Sequence, residues 1–232
     1  MAMKDVTVVM AHGGWADGSS WARVITRLAA LGIKSVAAPL PLTDLADDVA
    51  ALNRSIERVP GPVVLAAHAY AGAVIGLAHA ERVKALVYVT AFAPDDGETL
   101  TGLFFRAEPH PRAPKLAPDS DNLLWLPNEA FPNAFAPNAS ADDLILLAAA
   151  QRPLRFSCMT VPTAGPVLWK SVPTWYLVAE HDHMIVADTQ RFMAERMNAK
   201  IRSHAVDHTP IVTAPGPVVD IILEAVKSVA VK

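Results

Sequence analysis

Cysteine is almost absent: Cys158 is the single one in 232 residues. An internal disulfide framework is excluded, and a reducing compartment, the cytoplasm, is the expected setting. An excess of positive charge is missing too. With 20 basic and 23 acidic side chains the formal charge is −3 and the pI near 6.2. No basic run stands out, so a surface that tracks nucleic-acid phosphates is excluded. The opening MAMKDVTVVMAHGG lacks the apolar stretch and cleavage site of a signal peptide. The longest apolar stretch, 63–80, is broken by His68, Tyr70 and His79, so no membrane contact is expected. There is no G-x-G-x-x-G after a strand and no Walker loop, and no cofactor is implied. What is there is core material: 52% hydrophobic against 19% charged residues rules out disorder and suits one α/β domain.

Short β-rich runs alternate with longer helical patterns, which predicts βαβ units and a mostly parallel sheet with helices on both faces. Val6–Ala11 reads as a buried strand, followed by the loop His12-Gly13-Gly14-Trp15. Trp21, Val24, Ile25, Leu28 and Leu31 are helix-spaced, and Gly32 supplies the stop. Ser35–Ala38 is a brief strand. Leu45–Val59 is an amphipathic helix, with Leu45, Val49, Leu52 and Ile56 inward, Asp47, Asp48, Arg54 and Glu57 outward, and Thr43 or Asp44 as cap. Residues 62–67 form a strand that runs directly into an Ala/Gly-rich helix over 72–80, and Lys84–Thr90 is another strand. From 98 to 166 the alternation stops. Two short helices, around 97–106 and 141–151, and the aromatic residues Phe104, Phe105, Trp125, Phe131 and Phe135 mark this stretch as a small helical cap inserted in the core formed by 1–97 and 167–232. Alternation resumes with a strand at Thr174–Ala179, a helix at Ala187–Asn198, a strand at Lys200–Val206 and a closing helix at Pro217–Ser228.

The segment VVLAAHAYAGAVI, 63–75, carries the chemistry. A strand turning at once into a helix, with small residues at 67, 71 and 72, has the pattern of a nucleophile elbow, whose central residue is held at the top of the sheet. That central residue is Ala69. With this, the chain resembles the α/β-hydrolase-fold superfamily over essentially its whole length, in the compact esterase/hydroxynitrile-lyase-like group. Four features stand in the family's order: the oxyanion loop His12-Gly13-Gly14-Trp15, the elbow Ala67-His68-Ala69-Tyr70-Ala71-Gly72, an acid at Asp182 after a late strand, and His208 after the last one. The resemblance implies an α/β-hydrolase fold, an oxyanion hole from the Gly14 and Tyr70 amides, and catalytic roles for position 69, Asp182 and His208.

The departure is Ala69 where the family has serine, with Ala71 where glycine is more usual. Covalent acyl-enzyme chemistry needs a hydroxyl that alanine lacks. Two readings stay open: a serine hydrolase disabled by a Ser-to-Ala change, or a native variant in which His208, oriented by Asp182, does acid–base work on a water or a substrate hydroxyl. A non-catalytic small-ligand-binding protein on the same fold is the alternative. The aromatic cap implies a small, largely apolar ester or carbonyl compound as the small-molecule substrate, contacted by Trp15, Tyr70, Phe104 and Trp125. Asp182 has a plainer role open to it as cap of the helix near Ala187. His12 is expected to shape its own loop, His68 to pack, and Ser19 and Ser20 to cap the helix at Trp21. Cys158 is expected as a buried small hydrophobe. His181 and His183, on one face of an extended segment, lack a partner set for a metal, and none is expected. A homodimer is compatible with the sequence.

Overall fold

The computed structural model describes residues 2–79 and 81–230. In chain order its elements are β1 (Thr7–Ala11), α1 (Ala22–Ala30), β2 (Lys34–Ala38), α2 (Leu45–Glu57), β3 (Val63–His68), α3 (Ala71–Gly76), β4 (Val83–Val89), α4 (Leu100–Phe104), β5 (Leu123–Leu124), α5 (Ala141–Ala149), β6 (Leu154–Arg155), α6 (Ser157–Thr160), β7 (Thr174–Ala179), α7 (Ala187–Arg196), β8 (Lys200–His204), α8 (Pro210–Thr213) and α9 (Pro215–Ala230). Six strands pair in the order β2-β1-β3-β4-β7-β8, every pair parallel. Parallel neighbours need crossovers, and the helices supply them on both faces.

The strands read as near-continuous apolar runs because both faces are covered. Alternate residues serve opposite cores. Val9, Ala11, Leu65, Ala67, Tyr88 and Tyr176 pack towards α2, α3 and α7. Val8, Met10, Val64, Ala66, Val87 and Trp175 pack towards α1 and α9. Gly32 ends α1 with φ +73°, and Asp44 caps α2 by accepting from the Asp47 amide at 2.8 Å.

Several expectations needed correction. The helix expected over 72–80 ends at Gly76, and Ala80 lies outside the described residues. The last strand stops at His204. Ser19 and Ser20 lie in a 3-10 turn capped by Asp17, whose carboxylate accepts from the Ser19 amide at 2.7 Å. Asp48, placed on the outward face of α2 by its spacing, is fully buried.

The sheet reverses its winding between β1 and β3: β2 flanks β1 on one side and β3 on the other. Loops leaving such neighbours diverge and open a crevice at the carboxyl edge. Here Ala11 is in register with Ala67, so the loop 12–15 and the turn 69–71 leave the sheet side by side. β4 and β7 are also sheet neighbours, yet 84 residues of chain, 90–173, separate them. The stretch expected as a cap, 98–166, lies within this excursion. It holds the short antiparallel β5–β6 pair, a π-helical turn at Phe131–Phe135, and a small core of its own in which Trp15 and Met184 join Leu124, Leu126, Phe131 and Phe135.

Candidate active site

The elbow is built as its sequence pattern predicts. Ala69 has φ +49°, the left-handed region that a side chain makes costly. It is held there by its neighbours: its amide donates to Val89 O at 3.4 Å and its carbonyl accepts from Phe92 at 3.0 Å and Gly72 at 3.2 Å. A Cβ on Gly72 would overlap the Phe92 carbonyl, which is why that position is glycine. Across the crevice a Cβ on Gly13 would come to 3.0 Å from both the Ala69 Cβ and His68 Nδ1, so the loop 12–15 packs its bare Gly13 backbone against the elbow. Neither the Gly14 nor the Tyr70 amide donates to another protein group among the described residues.

Two buried histidines brace this end. His12 takes the Leu40 amide on Nε2 at 3.2 Å and therefore donates from Nδ1 to the Gly13 carbonyl at 3.0 Å. That ties the loop to the end of β2, and burial holds the ring's pKa below its usual value. His68 donates from Nε2 to the His208 carbonyl at 2.7 Å, and Thr90 donates to the same oxygen at 2.9 Å. His68 thus does more than pack, because it fixes the backbone of the second catalytic candidate.

The other arm comes from the ends of β7 and β8. His208 and Asp182 are both buried, and His208 Nδ1 lies 2.9 Å from Asp182 Oδ2. Asp182 Oδ1 accepts from the amides of Met184 and Ile185 at 2.7 and 2.8 Å, and Gln190 Nε2 donates to Oδ2 at 2.8 Å. Asp182 therefore orients the imidazole and does not cap α7, whose N-cap Val186 carries no side-chain bond. A carboxylate only accepts, so Nδ1 carries the proton and the Nε2 lone pair is free.

His208, Gly14, Trp15, Ala69 and Tyr70 line one cavity of about 600 Å³. Phe104 lines it as expected, and Trp125 does not. Trp125 stands half-exposed with its Nε1 on Asp119 Oδ2 at 3.0 Å, because the turn at 119–124 points it outward. The wall its absence leaves is supplied by Phe92, Phe135, Leu154, Met184 and Ile185, with His110 also on the cavity. Phe135 packs its ring 5.5 Å from that of His208. Ser19 and Ser20 line a neighbouring groove and not this cavity. His183 stacks on His110 at 3.9 Å.

Two supports escaped the sequence reading. Gln190 sits eight residues past Asp182, and its Oε1 takes the Ala179 amide at 3.0 Å while its nitrogen holds the acid. Asp48 accepts from Tyr70 Oη at 2.6 Å and from the Leu42 amide at 2.7 Å, so it anchors the residue after the elbow. Burial pushes the Asp48 carboxyl up to about 6 and the Cys158 thiol up to about 12.

A doubly wound parallel sheet, a left-handed elbow at the end of β3 and a histidine–carboxylate pair from later strands together define an α/β-hydrolase. The alpha/beta hydrolase family model matches residues 8–221, and the chain belongs to that family. No curated protein sequence matches it. Among solved structures it is similar to a pyrethroid hydrolase from Sphingobium faniae JZ-2, at 20% identity and TM-score 0.84, covering 98% of this chain and 100% of that one. A polyneuridine aldehyde esterase variant matches at 20% identity and TM-score 0.82, covering 94% and 98%. A methylesterase from Arabidopsis matches at 18% and 0.75, covering 96% and 99%. At these identities the likeness is one of fold.

Proposed function

We propose that the chain is an esterase-like hydrolase that cleaves a small, neutral, largely apolar ester without a covalent intermediate. In this reading His208 Nε2 removes a proton from a water standing where a serine hydroxyl would be, and Asp182 stabilises the imidazolium that forms. The Gly14 and Tyr70 amides receive the developing oxyanion, which accounts for two donors with no protein partner. The observation that carries the proposal is the intact, buried His208–Asp182 pair on an apolar cavity beside Ala69. A pocket that only bound ligand would have no chemical need of an oriented base. The structural neighbours, esterases and a hydrolase, agree with this class.

In related machinery, loss of the nucleophile leaves roughly 10³–10⁴-fold acceleration from binding and the oxyanion hole, which sets the scale of turnover expected here. The test is turnover of p-nitrophenyl butyrate by the chain and by His208→Ala. A loss of about 10² in kcat is expected from removal of a general base. Equal rates would leave the reading without its base and favour the ligand-binding alternative, which Ala69 by itself would suit.

A further inference from the structure

The cavity opens through the cap. Every exposed residue of its wall lies in one of two segments, 101–116 and 154–159, and the lining residues outside them are buried. These segments differ in charge from the rest of the chain. Four of the 20 basic residues fall there and one of the 23 acidic ones, a net +3 against −6 for the remainder. The cations Arg106, Arg112, Lys115 and Arg155 are all exposed. Arg106 lies over the Phe192 ring, and none of the four forms an ion pair among the described residues. Two aromatic rings of the cavity wall also reach solvent, Phe105 at 65% and Phe156 at 38% exposure. A lone exposed ring needs no explanation. Rings contiguous with an apolar cavity and rimmed by charge mark an interaction surface.

We propose that this rim docks on an anionic lipid surface, with the cavity mouth turned towards the headgroups. Lysine and arginine side chains are drawn to anionic headgroups, and exposed aromatic rings bury at the boundary between headgroup and acyl chain. The contact is peripheral, because no described helix is long and apolar enough to cross a membrane. Residues 107–118 make no backbone hydrogen bond outside their own segment among the described residues, so the rim can settle on a surface without breaking the sheet or its helices. Other occupants fit less well. A second copy packed about a two-fold axis would set one positive face against another. An acidic protein would meet the cations and plug the cavity that opens beside them. A lipid surface meets both cations and rings, and it holds apolar molecules that the cavity can take up. That the molecule taken up is an ester rests on the reading above; the docking itself does not.

The test is co-sedimentation of the full chain with two kinds of vesicle at low salt. One kind holds equal parts phosphatidylcholine and phosphatidylglycerol, the other phosphatidylcholine alone. The chain is expected to partition more strongly to the anionic vesicles, and added salt to weaken that preference. Each cation near an anionic surface contributes about fivefold, so Arg112→Ser combined with Arg155→Ser is expected to lose about 25-fold in partitioning. Both side chains are exposed and neither residue lines the cavity, so folding and hydrolysis of dissolved p-nitrophenyl butyrate should not change. Phe105→Ser is expected to weaken binding to both compositions by about tenfold, the low end for burying one ring. No sedimentation with the anionic vesicles, or equal sedimentation with both kinds, would overturn the proposal. So would a double variant that binds as well as the unsubstituted chain. Self-association that Phe105→Ser abolishes, seen by analytical ultracentrifugation without vesicle binding, would give the rim to a second copy and overturn it too. Sedimentation reads binding alone, so these outcomes stand apart from whether the chain hydrolyses any ester.

Discussion

The two arms of the site meet different demands. The elbow arm is a feature of the backbone: Ala69 at φ +49°, Gly72 with no room for a Cβ, and Gly13 in contact across the crevice. Its strained turn is complete, and the hydroxyl that such a turn ordinarily presents is missing. The β7–β8 arm is a feature of side chains: Asp182 receives two amides, Gln190 and His208. There both geometry and chemistry are complete. Strain at a turn is paid for only when neighbours over-determine it, and here they do so without a nucleophile. The Gly14 and Tyr70 amides and the His208–Asp182 pair are thus held in place without any contribution from a side-chain oxygen at residue 69, and on the proposed reading the site keeps its electrostatic half.

The largest effect should come from restoring the missing part. Ala69→Ser is expected to raise kcat on p-nitrophenyl butyrate by roughly 10³, with a burst of nitrophenolate as an acyl-enzyme accumulates. Such a gain would show that the elbow arm lacks only its oxygen atom. A serine that adds nothing would mean that the two arms are not in register for covalent chemistry, and the comparison would fail. On the intact arm, Asp182→Asn keeps the size of the side chain and removes the charge that stabilises imidazolium. A loss of about 10² in kcat with little change in KM is expected in the unsubstituted background. A KM effect alone would recast Asp182 as a loop anchor.

How much of this the sequence disclosed follows from the same contrast. β1, β3, β4 and β7 were legible because strands buried on both faces are apolar throughout. The elbow was legible because its demands are local: small residues at fixed offsets around a turn. The acid and histidine were found by order along the chain. What joins the parts was not legible. Asp48 lies on the polar side of a helical wheel, and only the path of Tyr70 across the fold turns that side inward. Gln190 and His68 act through bonds to residues 8 and 140 positions away, which no periodicity encodes. Trp125 and Phe135 look alike in the sequence; the irregular chain between β4 and β7 sends one to solvent and the other onto His208.

Asp48 offers a test of the elbow arm's support that does not depend on turnover. Its carboxyl is raised from 3.8 to about 6 in the folded protein, so between those values the native state binds more protons than the unfolded one. The stability this contributes is fully present below about pH 4 and is lost as pH rises through about 6, a span of order 3 kcal/mol. The shifted surface carboxylates act oppositely and at lower pH: Lys170 beside Asp95 and Arg196 beside Glu98 hold those groups below their usual range. The buried His12 and His68 rings, held below their usual range by burial, act oppositely in this same window, so the Asp48 contribution is read as a difference. In denaturant unfolding, the stability of the unsubstituted chain relative to Asp48→Asn is expected to fall between about pH 4 and 7. If the difference between the two proteins does not vary with pH, the buried carboxylate is not titrating where its surroundings place it.

The smallest expected effect bears on strain itself. Ala67 and Ala69 are two residues apart and both buried, but only Ala69 is left-handed. Replacing either by glycine removes a buried methyl, worth about 0.8 kcal/mol, and adds unfolded-state freedom worth about 0.5–1 kcal/mol. At position 69 the change also relieves the clash of Cβ with its own backbone, worth roughly 1–2 kcal/mol in the left-handed region. Ala67→Gly is thus expected to lower Tm by about 3–5 °C for a domain of this size, and Ala69→Gly by no more than about 2 °C. The gap between the two variants measures what the fold spends to hold an elbow that presents no nucleophile. If the two fall equally, Ala69 is unstrained and the elbow arm costs the protein nothing to keep.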